Sequence, residues 1–192
     1  MSVQSKEKIE KLLAQYKKLV LKWNKRIPLI SRRSPRVALD RLVQQSLEAA
    51  AVLPKTIRTL IDIGSGSGIP GIPITICNEI DNVVLIDRSA NKTIFLKNTV
   101  ATLGLNNIEV INDSFNNGFL KRDHPLAVTS LGVGGYEEMT LQIWPCFHHG
   151  DGVLLFISKE LADTIAGNVS HETYQWVSLK NSLETGVAWI SK

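Results

Sequence analysis

The sequence predicts an α/β fold: a doubly wound, mostly parallel seven-stranded sheet with an antiparallel last strand, preceded by an N-terminal helical extension. Three observations carry this expectation. Short apolar runs at 59–63, 83–86, 108–111, 126–129 and 153–157 alternate with segments of helical character, the pattern of repeated βα units with right-handed crossovers. A glycine-rich turn, Gly64-Ser65-Gly66-Ser67-Gly68, stands where the first run gives way to its helix. The last two apolar runs, 174–179 and 187–190, are separated by a short polar link, as in a hairpin that closes one sheet edge.

Taken in order, Ile9, Leu12, Leu13, Tyr16, Leu19, Val20 and Trp23 fall on one face of a helix with lysines opposite, and Pro28 ends the segment. Ser34-Pro35 is an N-cap followed by a proline at the first helical position, opening a second helix to Leu53 before Pro54. Two helices alone bury too little apolar surface, so this extension must pack on the sheet. Residues 1–55 are therefore expected as a basic extension and 56–192 as the sheet domain. Within the latter, helices are expected at 70–78, 89–103, 135–146 and 160–167, with Gly104 capping the second of these. The run Val153-Leu154-Leu155-Phe156-Ile157 reads as a strand buried on both faces.

At 192 residues the chain suits one domain with a small extension, and its 44% hydrophobic and 21% charged content is that of a globular protein. No apolar run approaches the roughly 20 residues of a membrane span, and the charged N-terminus lacks a signal-peptide core, so a cytoplasmic protein is expected. Cys77 and Cys146 read as buried thiols in a reducing compartment, and no metal-ligand spacing is present. The net charge of +4 hides an asymmetry: residues 1–58 carry 14 Lys/Arg against 4 Asp/Glu, a balance of +10, and residues 59–192 carry 8 against 14, a balance of −6. A basic extension beside an acidic domain points to a polyanionic partner, nucleic acid first, with Lys25, Arg26, Arg32, Arg33 and Arg36 at the helix–loop junction as its contacts. A solvated lysine face is the other reading.

The glycine turn is the chemical centre of the sequence. Alternate glycines admit a ligand to the main chain and are expected to leave backbone N–H groups free, with a helix N-terminus behind them. About twenty residues on, the run Val83-Val84-Leu85-Ile86 ends at Asp87, where a carboxylate can accept two hydrogen bonds from a ribose diol. That combination is a nucleoside-cofactor site. A dinucleotide fingerprint read from Gly64 fails at its sixth position, which is Ile69. The observed Gly-x-Gly-x-Gly with Asp62 two residues ahead matches the S-adenosylmethionine loop of the Rossmann-like class I methyltransferases, in which Asp62 can reach the methionine amino group. Asp113, after the third strand, is placed near the adenine, a turn or N-cap role being its alternative.

The segment Gly64 to Pro73, with its Pro70-Gly71-Ile72-Pro73 tract, resembles the glucose-inhibited division protein B family of small-subunit ribosomal RNA guanine-N7 methyltransferases. Tyr16, Leu19 and Trp23-Asn24 resemble the family's N-terminal tract, and Leu85 to Leu96 its second strand and following helix. The resemblance implies a cofactor set of Asp62, Gly64, Ser65, Gly66, Gly68, Pro70, Asp87, Arg88, Asp113 and Ser114. It implies ribosomal RNA or the small ribosomal subunit as partner of a monomeric enzyme. Several positions depart from the pattern. The family's His and Asp in the second helix are absent from Leu42-Val43-Gln44-Gln45-Ser46-Leu47. Its Ser-Arg pairs after strands three and four correspond here to Asn112-Asp113-Ser114 and Ser130-Leu131-Gly132, and its Lys-Gly near strand five to Lys159-Glu160.

Methyl transfer from a sulfonium is an in-line displacement, and guanine N7 carries a free lone pair, so no general base is required. The sequence contains no convincing carboxylate dyad or Ser-His-Asp set. Ser130 and the Gly132-Val133-Gly134-Gly135 stretch lie after strand four, where this fold places acceptor contacts, a helix start being the other reading of Gly134-Gly135. Lys159 after strand five is expected to contact a phosphate or base, a solvated lysine being its alternative. The expected activity is S-adenosylmethionine-dependent methylation of guanine N7 in small-subunit ribosomal RNA. The missing arginines keep open a cofactor-binding homologue with altered substrate or lost catalysis, and a small-molecule methyltransferase is a third reading.

Overall fold

The computed structural model describes residues 3–123, 125–180, 182 and 184–192, with side chains from residue 6 onward. Two helices, α1 (Val3–Trp23) and α2 (Pro35–Val52), precede the alternating elements β1 (Thr59–Ile63), α3 (Gly71–Cys77), β2 (Asn82–Ile86), α4 (Ala90–Leu103), β3 (Ile108–Ile111), β4 (Leu126–Ser130), α5 (Tyr136–Ile143), β5 (Gly152–Ile157) and α6 (Lys159–Asn168). The chain closes with β6 (Thr173–Ser178) and β7 (Gly186–Ser191). The first helix ends at Trp23, five residues before Pro28, because Asn24 starts a turn: its side-chain Oδ1 accepts from Leu29 N at 2.8 Å and Ile30 N at 3.0 Å. Pro35 opens α2 as expected, although the Ser34 hydroxyl makes no capping bond. The helix expected to run to 146 ends at Ile143 and tightens into a 3-10 turn over Trp144–Cys146, where Pro145 removes a donor.

The seven strands lie in the order β3-β2-β1-β4-β5-β7-β6. The five strands β3-β2-β1-β4-β5 are parallel; β7 is antiparallel to both β5 and β6 and is inserted between them. The chain starts at the centre of the sheet, winds outward through β2 and β3, then returns to the other side of β1 with β4. That reversal opens a crevice at the carboxyl ends of β1 and β4, the place where such sheets bind ligands. Register aligns the last residues of these strands: Ile63 pairs with Ile86 on one side and Ser130 on the other, and Ser130 pairs with Leu155.

Alternate strand residues enter opposite cores. Leu60, Val83, Leu85, Ala127 and Leu154 join Ile72 and Ile74 of α3 and Phe95 and Leu96 of α4. Ile61, Val84, Ile86, Val128 and Leu155 face Ile143 of α5 and Ala162 and Ile165 of α6. Both faces of the sheet are covered, which is why the central strands read as continuous apolar runs. Helices α1 and α2 belong to the first of these cores through Leu13, Tyr16, Val20, Leu39 and Val43, and the Trp23 ring meets Phe95 edge-on at 5.7 Å. The extension therefore forms part of one helical layer. Cys146, expected buried, is exposed on its 3-10 turn, and Cys77 is half-buried, with burial raising its thiol pKa. Among the described residues no helix is long and apolar enough to cross a membrane.

Candidate cofactor and RNA site

The glycine turn leaves β1 with Gly64, Gly66 and Gly68 all at positive φ (70°, 55° and 86°), a conformation that L side chains adopt only with strain. The turn satisfies most of its own donors. Gly64 N and Ser65 N donate to Ile86 O, Gly68 N donates to Ser65 O, and Gly66 N donates to the Asp87 carboxylate at 2.9 Å. This corrects the expectation of free loop amides: so tight a bend, pressed against the end of β2, pairs its N–H groups internally. What the glycines provide is approach. A Cβ at Gly66 would meet nothing closer than the Gly64 carbonyl at 3.7 Å and the Lys92 ammonium at 4.0 Å.

Asp87 closes the cradle from the end of β2. Its Oδ2 takes the Gly66 N–H, its Oδ1 takes Ser89 N at 2.8 Å, and Lys92 Nζ stands 3.9 Å from Oδ2. A carboxylate has about four lone-pair positions, so roughly two remain for a diol. Asn112, just past β3, donates to the Asp87 carbonyl at 3.0 Å and ties the third strand's end to the same point. Its neighbours Asp113 and Ser114 are exposed, the Asp113 carboxylate accepting from Ser114 N at 2.7 Å, and Arg88 is exposed beside Asp87.

Asp62 lies beneath the loop, fully buried. Its Oδ2 accepts from Gly71 N at 3.1 Å at the start of α3, while Oδ1 has no hydrogen-bond partner. Burial pushes this carboxyl up to about 7 against the opposing pull of the Gly71 hydrogen bond, with nearby Asp87 raising it further. Pro70 is buried at the N-cap of α3, and the Ser65 hydroxyl donates to the Asp62 carbonyl at 2.8 Å. Tyr16 of α1 reaches the loop as well: its hydroxyl, fully buried, donates to the Ser67 carbonyl at 2.8 Å. The sequence placed Tyr16 on an apolar helix face and in a family-like tract but gave no sign of this partner, because a hydrogen bond across 51 residues has no local signature.

The acceptor side differs from expectation. Ser130 is fully buried and donates its hydroxyl to the Ile63 carbonyl at 2.8 Å, so it fastens β4 to β1 directly before the glycine turn and presents nothing to a substrate. Lys159 is exposed at the start of α6, with its ammonium on both oxygens of Asp163 at 2.8 and 2.9 Å. Beyond Ser130 the chain turns through Gly132, Gly134 and Gly135, all left-handed, and carries Val133 over the cradle: a Cβ on Gly64 would lie 2.5 Å from Val133 Cγ1.

The basic residues divide. Lys25, Arg32 and Arg36 line an open groove of about 660 Å³ between the end of α1 and the start of α2, whereas Arg26 and Arg33 are exposed outside it. Lys18 and Lys22 also line the groove. Their spacing with Lys25, i, i+4 and i+7, was the available signal for them.

A family model described as rRNA small subunit methyltransferase G matches residues 9–184. The chain belongs to that family. Curated relatives named ribosomal RNA small subunit methyltransferase G include one from Marinobacter nauticus, 42% identical over 94 residues (48% of this chain, 42% of the relative), and one from Neisseria meningitidis, 36% identical over 104 residues (53% and 48%). The matched segments span about half the length of the curated relatives. Solved structures confirm the class I S-adenosylmethionine-dependent methyltransferase fold. A putative enzyme of that kind from Methanococcus maripaludis superposes with a TM-score of 0.61 at 14% identity, covering 92% of this chain and 93% of its own. A putative methyltransferase from Streptococcus mutans in complex with SAH gives 0.57 at 14% identity, covering 79% and 98%. Leu131, just past β4, is half-buried. It lines a second cavity of about 270 Å³ together with Arg41 and Gln45 of α2; of these two, the sequence drew attention only to Gln45, within the Leu42–Leu47 tract.

Proposed function

We propose that this protein is an S-adenosylmethionine-dependent methyltransferase acting on guanine N7 of small-subunit ribosomal RNA, as a monomer in the cytoplasm. In this reading 1–55 is the RNA-facing extension and 56–192 the methyltransferase domain. The observation that carries it is the Gly64–Gly68 turn held by Asp87 at the sheet's reversal point, in a chain of the rRNA small subunit methyltransferase G family. The residues present suit the cofactor: unshielded main chain at Gly66, a carboxylate with lone pairs to spare at Asp87, and an unpartnered buried oxygen on Asp62.

Bound S-adenosylmethionine supplies an activated methyl group on a sulfonium; the protein contributes orientation and electrostatics. Asp87 would hold the ribose end and Gly66 would give the main chain close approach, with the unpartnered Asp62 oxygen beneath available to an ammonium, and Gly64, Ser65, Gly68 and Pro70 would shape the bend. Arg88, Asp113 and Ser114 border the adenine side. Lys25, Arg32 and Arg36, with Lys18 and Lys22, take RNA phosphates; such contacts position the partner without reading its sequence. Nucleophilic attack needs only the N7 lone pair held in line, and no proton has to be removed beforehand.

The test is incubation of purified protein with labelled S-adenosylmethionine and small-subunit particles, deproteinised ribosomal RNA, or no acceptor. Label at guanine N7 of the RNA is the expected result. Tight S-adenosylhomocysteine binding with no labelled RNA would instead favour a cofactor-binding homologue without this activity, a reading supported by Leu131-Gly132 and Asp113-Ser114 standing where the family pattern has arginines.

A further inference from the structure

The cavity walled by Arg41 and Gln45 lies at the carboxyl end of β4 and β5, on the opposite side of the reversal point from the cofactor cradle. Gly132 lines it, and the next residue, Val133, is the one that covers Gly64. One loop thus borders both, lining the cavity at Gly132 and covering the cradle at Val133. Several of the cavity's wall residues are tied to neighbouring elements. Tyr136 accepts a hydrogen bond from Gly132 N at 2.8 Å, which holds the loop's shape, and Phe156 at the end of β5 is almost fully buried. On the far side Glu48 of α2 accepts from Lys180 N at 3.1 Å, tying α2 to the segment that leads to Thr185, another lining residue. Arg41 is exposed and makes no ion pair with any described residue, so its guanidinium faces the cavity's surroundings without an internal counter-charge.

We propose that this cavity receives the acceptor base, a guanine unstacked from its strand, and that Arg41 selects it; this deepens the methyltransferase reading and rests on it. The half-buried Tyr136 side chain on the cavity wall suits a flat ring, as unstacked RNA bases are commonly held against aromatic side chains. Arginine offers five donors and no acceptor. It therefore matches the carbonyl O6 of guanine and opposes the exocyclic amine that adenine carries in the same place. Arg41 must bond O6 alone, because a bidentate grip on O6 and N7 would occupy the lone pair that attacks the methyl group. Gln45, one turn along α2, adds an amide donor and acceptor for the base edge.

Two measurements decide it, and they separate this proposal from the one before. Where the wild type methylates RNA, Arg41→Ala is expected to raise the acceptor KM at least about tenfold, with kcat within a few-fold and S-adenosylhomocysteine affinity unchanged, and Arg41→Lys to recover part of the loss. An unchanged acceptor KM in Arg41→Ala overturns the pocket while leaving the methyltransferase standing. Where the wild type labels no RNA, the amide NMR spectrum of the S-adenosylhomocysteine-loaded protein is followed during titration with guanosine monophosphate and, separately, adenosine monophosphate. Shifts at Gln45, Gly132 and Thr185 that are larger for guanosine monophosphate and vanish in Arg41→Ala support the pocket as a guanine site. Shifts confined to the glycine turn or the basic groove, or equal for both nucleotides, overturn it.

Discussion

Replacing Tyr16 by Phe removes one oxygen and tests whether the N-terminal helix holds the glycine turn in place. The hydroxyl is fully buried, and its bond to the Ser67 carbonyl, at 2.8 Å, joins residues 51 positions apart. The aromatic ring remains in the variant, so no cavity forms. A neutral hydrogen bond contributes a net ~0.5–1.5 kcal/mol, and a buried group left unpaired costs ~1–3 kcal/mol. Ser67 is itself buried, so its orphaned carbonyl places the expected loss at about 1–2 kcal/mol. In a protein of 192 residues that is a fall in Tm of roughly 3–6 °C. Urea unfolding of wild type and Tyr16→Phe measures it, with Tyr174→Phe as control, since that hydroxyl bonds the Asp163 carboxylate at the surface. Calorimetry with S-adenosylhomocysteine is the second readout, because a turn released at Ser67 should also bind the ligand more weakly. Midpoint and affinity both equal to wild type would refute the reasoning: the carbonyl would then be satisfied without Tyr16, and the helix would serve packing alone.

Further outcomes follow from the same geometry. Asp87→Ala deprives Gly66 N and Ser89 N of their acceptor and should weaken S-adenosylhomocysteine binding by about 1–3 kcal/mol, read by calorimetry. Gly71→Ala would set a Cβ 2.6 Å from Leu85 Cδ2 and 2.8 Å from Asp62 Oδ2, overpacking a buried point at a cost of about 1–3 kcal/mol in urea unfolding. For Asp62, a folded pKa raised from 3.8 to about 7 means that the unfolded chain gives up this proton first, so the carboxyl's contribution to stability falls as pH rises from about 4 to 7 and stays low above that. Relative to Asp62→Asn, the wild type should therefore lose several kcal/mol, up to about 4, between pH 4 and pH 8; a pH-independent difference between the two proteins would count against the buried titration. Removing Lys25, Arg32 and Arg36 together should lower the slope of log affinity against log salt by about 2 for a single-stranded RNA, measured by fluorescence anisotropy.

What could be read from the chain was what a few neighbouring residues determine. The glycine turn, the acid ending β2, the proline that opens α2 and the Gly104 cap each express a backbone requirement within one turn or strand end, and each lies where the pattern put it. The central strands follow from the same logic, since apolar runs alternating with helical segments suit a parallel sheet with both faces covered. The free amides of the turn were misjudged because glycine was credited with donors when its contribution is the missing side chain. Whether an N–H is free depends on what lies against it, here Ile86 and Asp87 on another strand.

The acceptor side shows the same principle from the other direction. A family pattern directs attention to the residues after β4, so the loss of arginine at Leu131 looks like the loss of a function. In three dimensions the wall at that point is shared among α2, the loop after β4 and the segment entering β7, stretches far apart in sequence. A guanidinium can enter such a cavity from any of them. On α2 the helical period alone assigns Arg41 to the polar side and explains its presence fully by solubility, so nothing local marks it. Only the packing of α2 through Leu39 and Val43 onto the sheet's helical layer turns that polar side toward the reaction edge. If Arg41 holds the acceptor as proposed, its removal separates a binding group carried on α2 from an acceptor site that has been lost.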